Sequence, residues 1–515
     1  RISFWTNAIL KNTGYKRLLY AQVDGTFAHR SGRYFNRMAI DWPSSSEAKD
    51  IMYDRFTNKR PDYDRGFKYA MRLEQLLSKR NGDNVNVWYE FNHKVERRTS
   101  ELYNLNEIPG YDAENPGFGM LPSAGEYRNT FDPMQSYRSH LSTDSHIIKP
   151  EYATCTTQSR YMPFGPVQMR FPLTIVNRTL DYEGRGIART LKKRDIMPGV
   201  DIQADFFRYE WWFLFVVHYI STPTAVPMMS LLDVVDDVDP LNVRLGNPSL
   251  KNTRTNMLTG FVEYQRNARS VGHKLSFSTT TMINAIGQGC YYNTATGVRI
   301  FKPYNVDGNR NMTGSYRAKK KFGRETELSI TSETIGYYTR SMDFSGSFSG
   351  DDIDLNVPPP LRKVVSEGIS ENLNVDINTK SWRVTAAAEI KGMNYRSEDP
   401  GFRNFTSWTG KYGTSALVNL AGNWSLSTDV NLYTRRGFGD PRLNTTDLVW
   451  NARISKSIIK GAVVLVADGY DLLRQLSNIS YTINAQARTE TVSNVIPSYI
   501  LLHVQWHWNK QPKRK

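Results

Sequence analysis

Cysteine is nearly missing from this chain of 515 residues, which carries two, Cys155 and Cys290. Two thiols so far apart build neither a disulfide scaffold nor a C-x-x-C metal or redox motif, and they read as separate thiols on separate strands. Long apolar runs are missing as well. The run Trp211 to Val217 stops at His218, far short of the ~20 residues a membrane-crossing helix needs. With a hydrophobic fraction of 39% and a mean hydropathy of -0.52, a helical membrane protein is excluded. Acidic residues are in deficit, 50 against 66 basic ones, for a net charge of +16. The dense basic runs are confined to Lys192–Arg194, Lys319–Lys321 and Lys513–Lys515, and elsewhere Asp and Glu are interspersed. Nucleic acid is therefore not an expected partner. Anionic outer-membrane lipid head groups or the phosphates of lipopolysaccharide fit scattered basic charge better, and a solvated loop face fits it equally.

Aromatics, by contrast, are plentiful, with 29 Tyr, 23 Phe and 11 Trp. A chain that is aromatic-rich yet polar on average suits a wall of strands in which every second residue faces lipid. Alternation with a period of two, the mark of a half-buried strand, recurs along the chain. From Phe207 to Tyr219 the odd positions are aromatic or aliphatic, while Arg208, Glu210 and His218 fall on even ones. Val167, Met169, Phe171, Leu173 and Ile175 alternate with polar residues and with Pro172, which costs its strand a ladder hydrogen bond. Trp382, Val384, Ala386, Ala388 and Ile390 interleave with Arg383, Thr385, Glu389 and Lys391. Trp424, Leu426, Val430 and Leu432 interleave with Ser425, Ser427, Asp429 and Asn431, and the last strand opposes Leu502, Val504, Trp506 and Trp508 to His503, Gln505 and His507. Residues 66–80 also suit a helix, but their place before the Asn81–Asn84 turn and an alternating strand makes them a strand.

A soluble sandwich alternates too, so three further features decide the class. Trp211, Trp424, Tyr499 and Trp508 stand near strand ends, where an interfacial girdle needs aromatics. Short turns such as Ala421–Asn423 contrast with long polar stretches at 32–65, 105–148 and 340–361. The polar faces also carry more charge than a sandwich core tolerates. The expectation is an all-β fold: a large antiparallel transmembrane β-barrel of 16 to 18 strands, with long extracellular loops and short periplasmic turns.

No constellation of enzymatic residues stands in the sequence. There is no H-E-x-x-H and no Walker loop, and Gly346 to Gly350 reads GSFSG, without the central serine of a nucleophile elbow. His503 and His507, four residues apart on a strand, stand ~13 Å from each other, too far to share a metal. Acidic clusters at Asp351, Asp352 and Asp354, and at Asp233, Asp236, Asp237 and Asp239, lack EF-hand spacing and read as solvated loops. No catalytic residue, metal or cofactor is expected.

Two stretches resemble a known family. Asp239–Lys251, DPLNVRLGNPSLK, followed by an alternating run from Asn256 to Tyr264, is similar to the "GNP-x-L-K" motif that precedes a barrel strand in TonB-dependent receptors, with Asn252 where many relatives have Pro. From Arg435 to Trp508 the chain resembles the same outer-membrane barrel family. The resemblance is weak before about residue 140 and strong after it. It implies a bacterial outer-membrane receptor or transporter that binds and takes up a ligand; on the polar faces of the alternating strands, Arg383, Glu389, Lys391, Asp429 and Asn431 are the candidate lumen contacts. By analogy with receptors of about 22 strands, residues 1–515 would be the C-terminal portion of a barrel. The plug, and any N-terminal domain, would then lie upstream of Arg1, since no TonB box or plug pattern is recognisable and no signal peptide opens the chain. TonB, reached through that plug, and a surface lipoprotein or other protein partner are the partners this implies. Two alternatives stay open: a scaffold or secretion-associated barrel that binds proteins, and, with less support, a barrel hydrolase.

Overall fold

The computed structural model describes residues 2–506 apart from 13–16, 41–50, 77–82, 112–121, 155–165, 209–212, 267–270, 324–325, 350–352, 399–401, 440, 477–478, 484–487, 493–495 and 497. The chain is built almost wholly of strands. Four come first, β1 (Ile2–Asn12), β2 (Arg17–Ile40), β3 (Ile51–Leu76) and β4 (Asn84–Asn104), each antiparallel to the one before. β5 (Phe131–Ala153) pairs with β4 and, on its other side, with one interrupted strand. That strand is β6 (Val167–Arg170) followed by β7 (Leu173–Gly184), broken at Phe171-Pro172, where proline has no N–H to give the ladder. A second interrupted strand, β8 (Ile187–Pro198) and β9 (Val200–Arg208), pairs along both halves of the first.

The wall continues through β10 (Phe213–Thr224). Between β10 and the next wall strand lie two short strands, β11 (Val235–Asp236) and β12 (Asn242–Leu245). β13 (Thr253–Arg266) and β14 (Val271–Ile283) resume the wall, and β15 (Ala285–Asn293) and β16 (Arg299–Val306) again leave it. An antiparallel meander follows: β17 (Arg310–Phe322), β18 (Glu327–Phe348), β19 (Leu361–Asn378), β20 (Trp382–Ser397), β21 (Phe405–Leu420), β22 (Trp424–Arg436), β23 (Thr446–Ile458) and β24 (Val463–Tyr470). A separate hairpin, β25 (Ile479–Ile483) with β26 (Arg488–Val492), precedes the last wall strand, β27 (Tyr499–Trp506), which pairs with β24. Among the described residues no ladder joins β1 to β27.

Setting aside β11, β12, β15, β16 and the β25–β26 hairpin and counting each interrupted strand once, nineteen strands form the wall among the described residues, against the 16 to 18 expected. The difference comes from polar strands read as loops. Residues 32–40, 51–65, 131–148 and 340–348 are strand, and the connections there are shorter than 32–65, 105–148 and 340–361. Strands that rise beyond an apolar belt are polar on both faces, and hydropathy cannot mark them. The run from Phe207 to Tyr219 is likewise not one strand. The chain reverses between β9 and β10, so that Phe207 lies opposite Leu214; a nearly continuous apolar stretch hid the reversal.

The connections keep the expected asymmetry. At one end they are short, 323–326, 379–381, 421–423 and 459–462, apart from the thirteen residues 154–166 between β5 and β6. At the other they are 105–130, 225–252, 284–309, 349–360 and 471–498, with one tight exception at Arg185-Gly186 between β7 and β8.

Candidate mouth and inner wall

Directly opposed residues of an antiparallel ladder share a face, so one face can be followed strand by strand. From Leu141 of β5 it passes through Leu180, Arg170, Asp201 and His218 to Ser276, Arg317 and Glu333. From there it runs through Ser370, Lys391, Asp429 and Arg453 to Asp468 and His503. This face is covered at the long-connection end by residues 225–252, which makes it the inner one.

Charge on the inner face is paired across strands. Lys68 lies 3.2 Å from Glu90, and Arg98 lies 2.7 Å from Asp64. Arg170 bridges Glu151 at 2.7 Å and Asp201 at 3.2 Å, and His218 contacts the same aspartate at 2.7 Å. Arg317 meets Glu333, and Arg453 meets Asp468. The opposite face is bare and largely apolar. Leu275, Ile369, Trp408, Val430 and Ile454 are all exposed on it, and on β27 Leu502 and Trp506 are 75% and 72% exposed. Glu371 interrupts the apolar rows, its carboxylate accepting hydrogen bonds from the hydroxyls of Ser332 and Thr334.

The five residues expected to face the lumen all fall on the inner face, although they do not form one site. Arg383 donates to Asn378 at 3.4 Å near the short-turn end. The Lys391 ammonium sits 4.6 Å from the Tyr337 ring, whose hydroxyl is 3.1 Å from Ser370 Oγ. Glu389 is exposed on the same strand. Asp429 accepts from Asn431 at 2.7 Å and from Asn451 at 3.0 Å, a polar cluster of its own.

Of the aromatic girdle, Trp424 stands on the bare face beside the 421–423 turn, with the Lys456 ammonium 4.7 Å from its ring. Tyr499 does not belong to the girdle. Register puts it opposite Tyr470 on the inner face, with ring centroids 4.7 Å apart. It precedes the alternating apolar set by one residue, and parity decides the face. Trp211 and Trp508 lie outside the described residues, as do Cys155, Asp351, Asp352 and His507, while Cys290 is a free thiol.

The main feature that sequence patterning missed is the inward fold of residues 225–252. Val226, Met228, Leu231, Leu232 and Leu250 pack against Leu180 and Tyr182 of β7 in one buried cluster. Both ends of the segment are tied to a single buried ion pair, Arg178–Asp195 at 2.5 Å, whose side chains are 7% and 4% exposed. Arg178 donates to the Val226 carbonyl, and Asn252 donates to Asp195 at 2.9 Å while accepting from the Val226 N–H at 3.2 Å.

Further out the segment is tethered to the rim. Arg185 holds Asp236 at 2.7 Å, Gln135 donates to Asp237 at 2.6 Å, and Arg55 donates to the Val238 carbonyl. Of the acidic cluster, Asp236, Asp237 and Asp239 are therefore engaged with protein donors and are not freely solvated, while Asp233 is exposed. The backbone of Arg185 has φ 54, the left-handed region that favours glycine, in the tight turn it shares with Gly186. Its side chain, 7% exposed, is locked by the tether.

The GNPSLK stretch closes the arrangement. A Cβ on Gly246 would come within 1.5 Å of the Leu232 carbonyl oxygen, so only glycine fits there. Asn247 donates its backbone N–H to Ser230 at 2.8 Å and its side-chain amide to the Pro303 carbonyl at 2.8 Å. Beside it a small sheet is built in the order β11, β12, β16, β15 and the outer end of β18. Tyr291 and Tyr304 pin the 349–360 connection to this sheet through the carbonyls of Val357 and Leu355. Burial pushes both phenol groups above the usual tyrosine range, consistent with hydroxyls that stay protonated and donate. Between the segment, this sheet and the Tyr137–Tyr182 rings lies a cavity of about 540 Å³.

No protein-family model and no curated protein sequence matches the chain. Among solved structures it is similar to the siderophore receptor PirA from Pseudomonas aeruginosa, with a TM-score of 0.36, 8% identity, and 92% of this chain and 77% of that one covered. It is also similar to two variants of the FrpB iron transporter from Neisseria meningitidis. The F3-3 variant has a TM-score of 0.34 and 8% identity, covering 91% and 68% of the two chains; the F5-1 variant has 0.35 and 8%, covering 98% and 74%.

Proposed function

We propose that residues 1–515 form the wall of a bacterial outer-membrane barrel that binds a ligand at its outer mouth and passes it along a polar inner face. The observation that carries this reading is the division of one continuous wall into a bare apolar face and a charged, paired face capped by residues 225–252. Lipid satisfies the first face, and water or solute the second. The short connections lie in the periplasm and the long ones outside the cell. Lys391, Glu389, Arg383, Asp429 and Asn431 contact the ligand in transit in this reading.

The test is topological. In intact Gram-negative cells carrying the protein, an impermeant maleimide should label Ser123→Cys and leave Ala421→Cys unmodified until the outer membrane is opened. The reverse pattern inverts the orientation, and protection of both positions sinks the barrel reading. TonB acting through a plug is the energy source we assign, and the absence of any crosslink between TonB and the full-length protein in cells would remove that part.

A further inference from the structure

From the chemistry of the cavity at the mouth we infer that its ligand is a small monoanion with a flat apolar body, such as an arene carboxylate or sulfonate. The inference deepens the uptake reading and rests on it for the ligand's onward path, but not for binding itself. A cavity of about 540 Å³ is of the size that encloses small molecules. One side is apolar and aromatic, the Tyr137 ring stacking on the buried Tyr182 ring with centroids 5.8 Å apart and planes 18° from parallel. Leu232, Phe301 and Pro303 face the same space. An apolar body with an aromatic ring packs against these side chains and leaves no polar group of its own without a partner.

The charges that border the cavity decide the sign. Arg185 and Asp236 neutralise one another at 2.7 Å, and Arg185 also donates to the Val235 carbonyl at 2.8 Å. Among the described residues that line the cavity, Arg244 is the cation left over. Register sets it opposite Asp236 on the β11–β12 ladder, but the carboxylate is taken by Arg185, and the Arg244 guanidinium is exposed at the cavity. A guanidinium presents a planar fork that matches a carboxylate or sulfonate in two parallel hydrogen bonds. The slot is also held in shape before any ligand arrives, by the close contact of Gly246 with Leu232 and by the locked side chain of Arg185. Little ordering is then left to oppose binding.

The experiment is equilibrium dialysis of the full chain in non-ionic detergent against 2-naphthoate, with neutral 2-naphthamide as the control for partition into micelles. Protein-dependent binding of naphthoate should exceed that of naphthamide. Arg244→Gln should weaken naphthoate roughly tenfold or more, as expected for loss of a charge-assisted pair, and leave naphthamide unchanged. Ser230→Trp, which fills the cavity, should abolish both, with folding checked by heat-modifiable migration. Equal binding of acid and amide, or naphthoate binding unaffected by Arg244→Gln, overturns the inference. Vesicles containing the protein separate it from the uptake reading. Arg244-dependent binding without naphthoate entry leaves the site standing and removes transport, whereas entry that ignores Arg244 removes the site and leaves transport.

Discussion

Arg178 and Asp195 sit in the most demanding position of any pair described above. Both are more than nine-tenths buried, and each also satisfies a group at the base of the 225–252 segment. Removing Arg178 leaves the buried Asp195 with only the more distant Lys193, at 3.8 Å, to balance its charge in a medium that solvates it poorly. Arg178→Met should therefore destabilise the protein by about 3–5 kcal/mol, while Arg178→Met with Asp195→Leu should recover most of the loss. Denaturant titration in lipid or detergent measures both, and a double variant no better than the single one would refute the account. A second contrast lies in neighbouring residues of β22. Val430 is 39% exposed on the bare face, directly between Thr414 and Trp450, and Asn431 points to the inner face beside Asp429. Val430→Arg puts a cation into hydrocarbon and should cost ~2–4 kcal/mol, with the penalty falling toward the interfaces. Asn431→Arg keeps Asp429 as its partner, now as an ion pair in place of a hydrogen bond, and should leave stability nearly unchanged. Equal stabilities after refolding into bilayers would mean that Val430 does not meet lipid.

At the scale of elements, residues 225–252 are the piece on which the mouth depends, and Gly246 is where they can be tested. Gly246→Ala forces a methyl group against the Leu232 carbonyl, so the Asn247 bonds to Ser230 and Pro303 must shift. We expect a loss of about 1–3 kcal/mol, typical of overpacking, together with faster proteolysis within 225–252 and an intact wall. Unchanged proteolysis would place the segment elsewhere. This element also shows what the sequence made legible. The GNPSLK stretch was visible as a motif, and β20, β22 and β27 were readable because one of their faces is apolar and the other is not. What could not be read was the inward fold, because contacts such as Arg185–Asp236 and Asn247–Pro303 join positions 51 and 56 residues apart and leave no periodic trace. The faces of Trp424 and Tyr499 were equally a matter of register. Two aromatics near strand ends look alike until a one-residue offset sends them to opposite sides.

Over the whole molecule, the outer ends of the strands are held by more than their ladders. Arg55 of β3, Gln135 of β5, the β7–β8 turn and β16 all reach the same inward segment. A wall of nineteen strands, each bonded mainly to its two neighbours, thereby gains ties between strands far apart around it. The uptake reading places ligand capture at this shared junction, so anything that loosens one tether should be felt by the others. The segment is nonetheless separable from the wall that carries it. It leaves β10 at Thr224 and re-enters β13 at Thr253, two residues that already face each other across the ladder. Its 28 intervening residues are in effect a cartridge inserted at the tip of a two-strand hairpin, and a short turn could take its place without altering a single wall pairing. A lineage could exchange that cartridge, and with it what the mouth recognises, while inheriting the same wall.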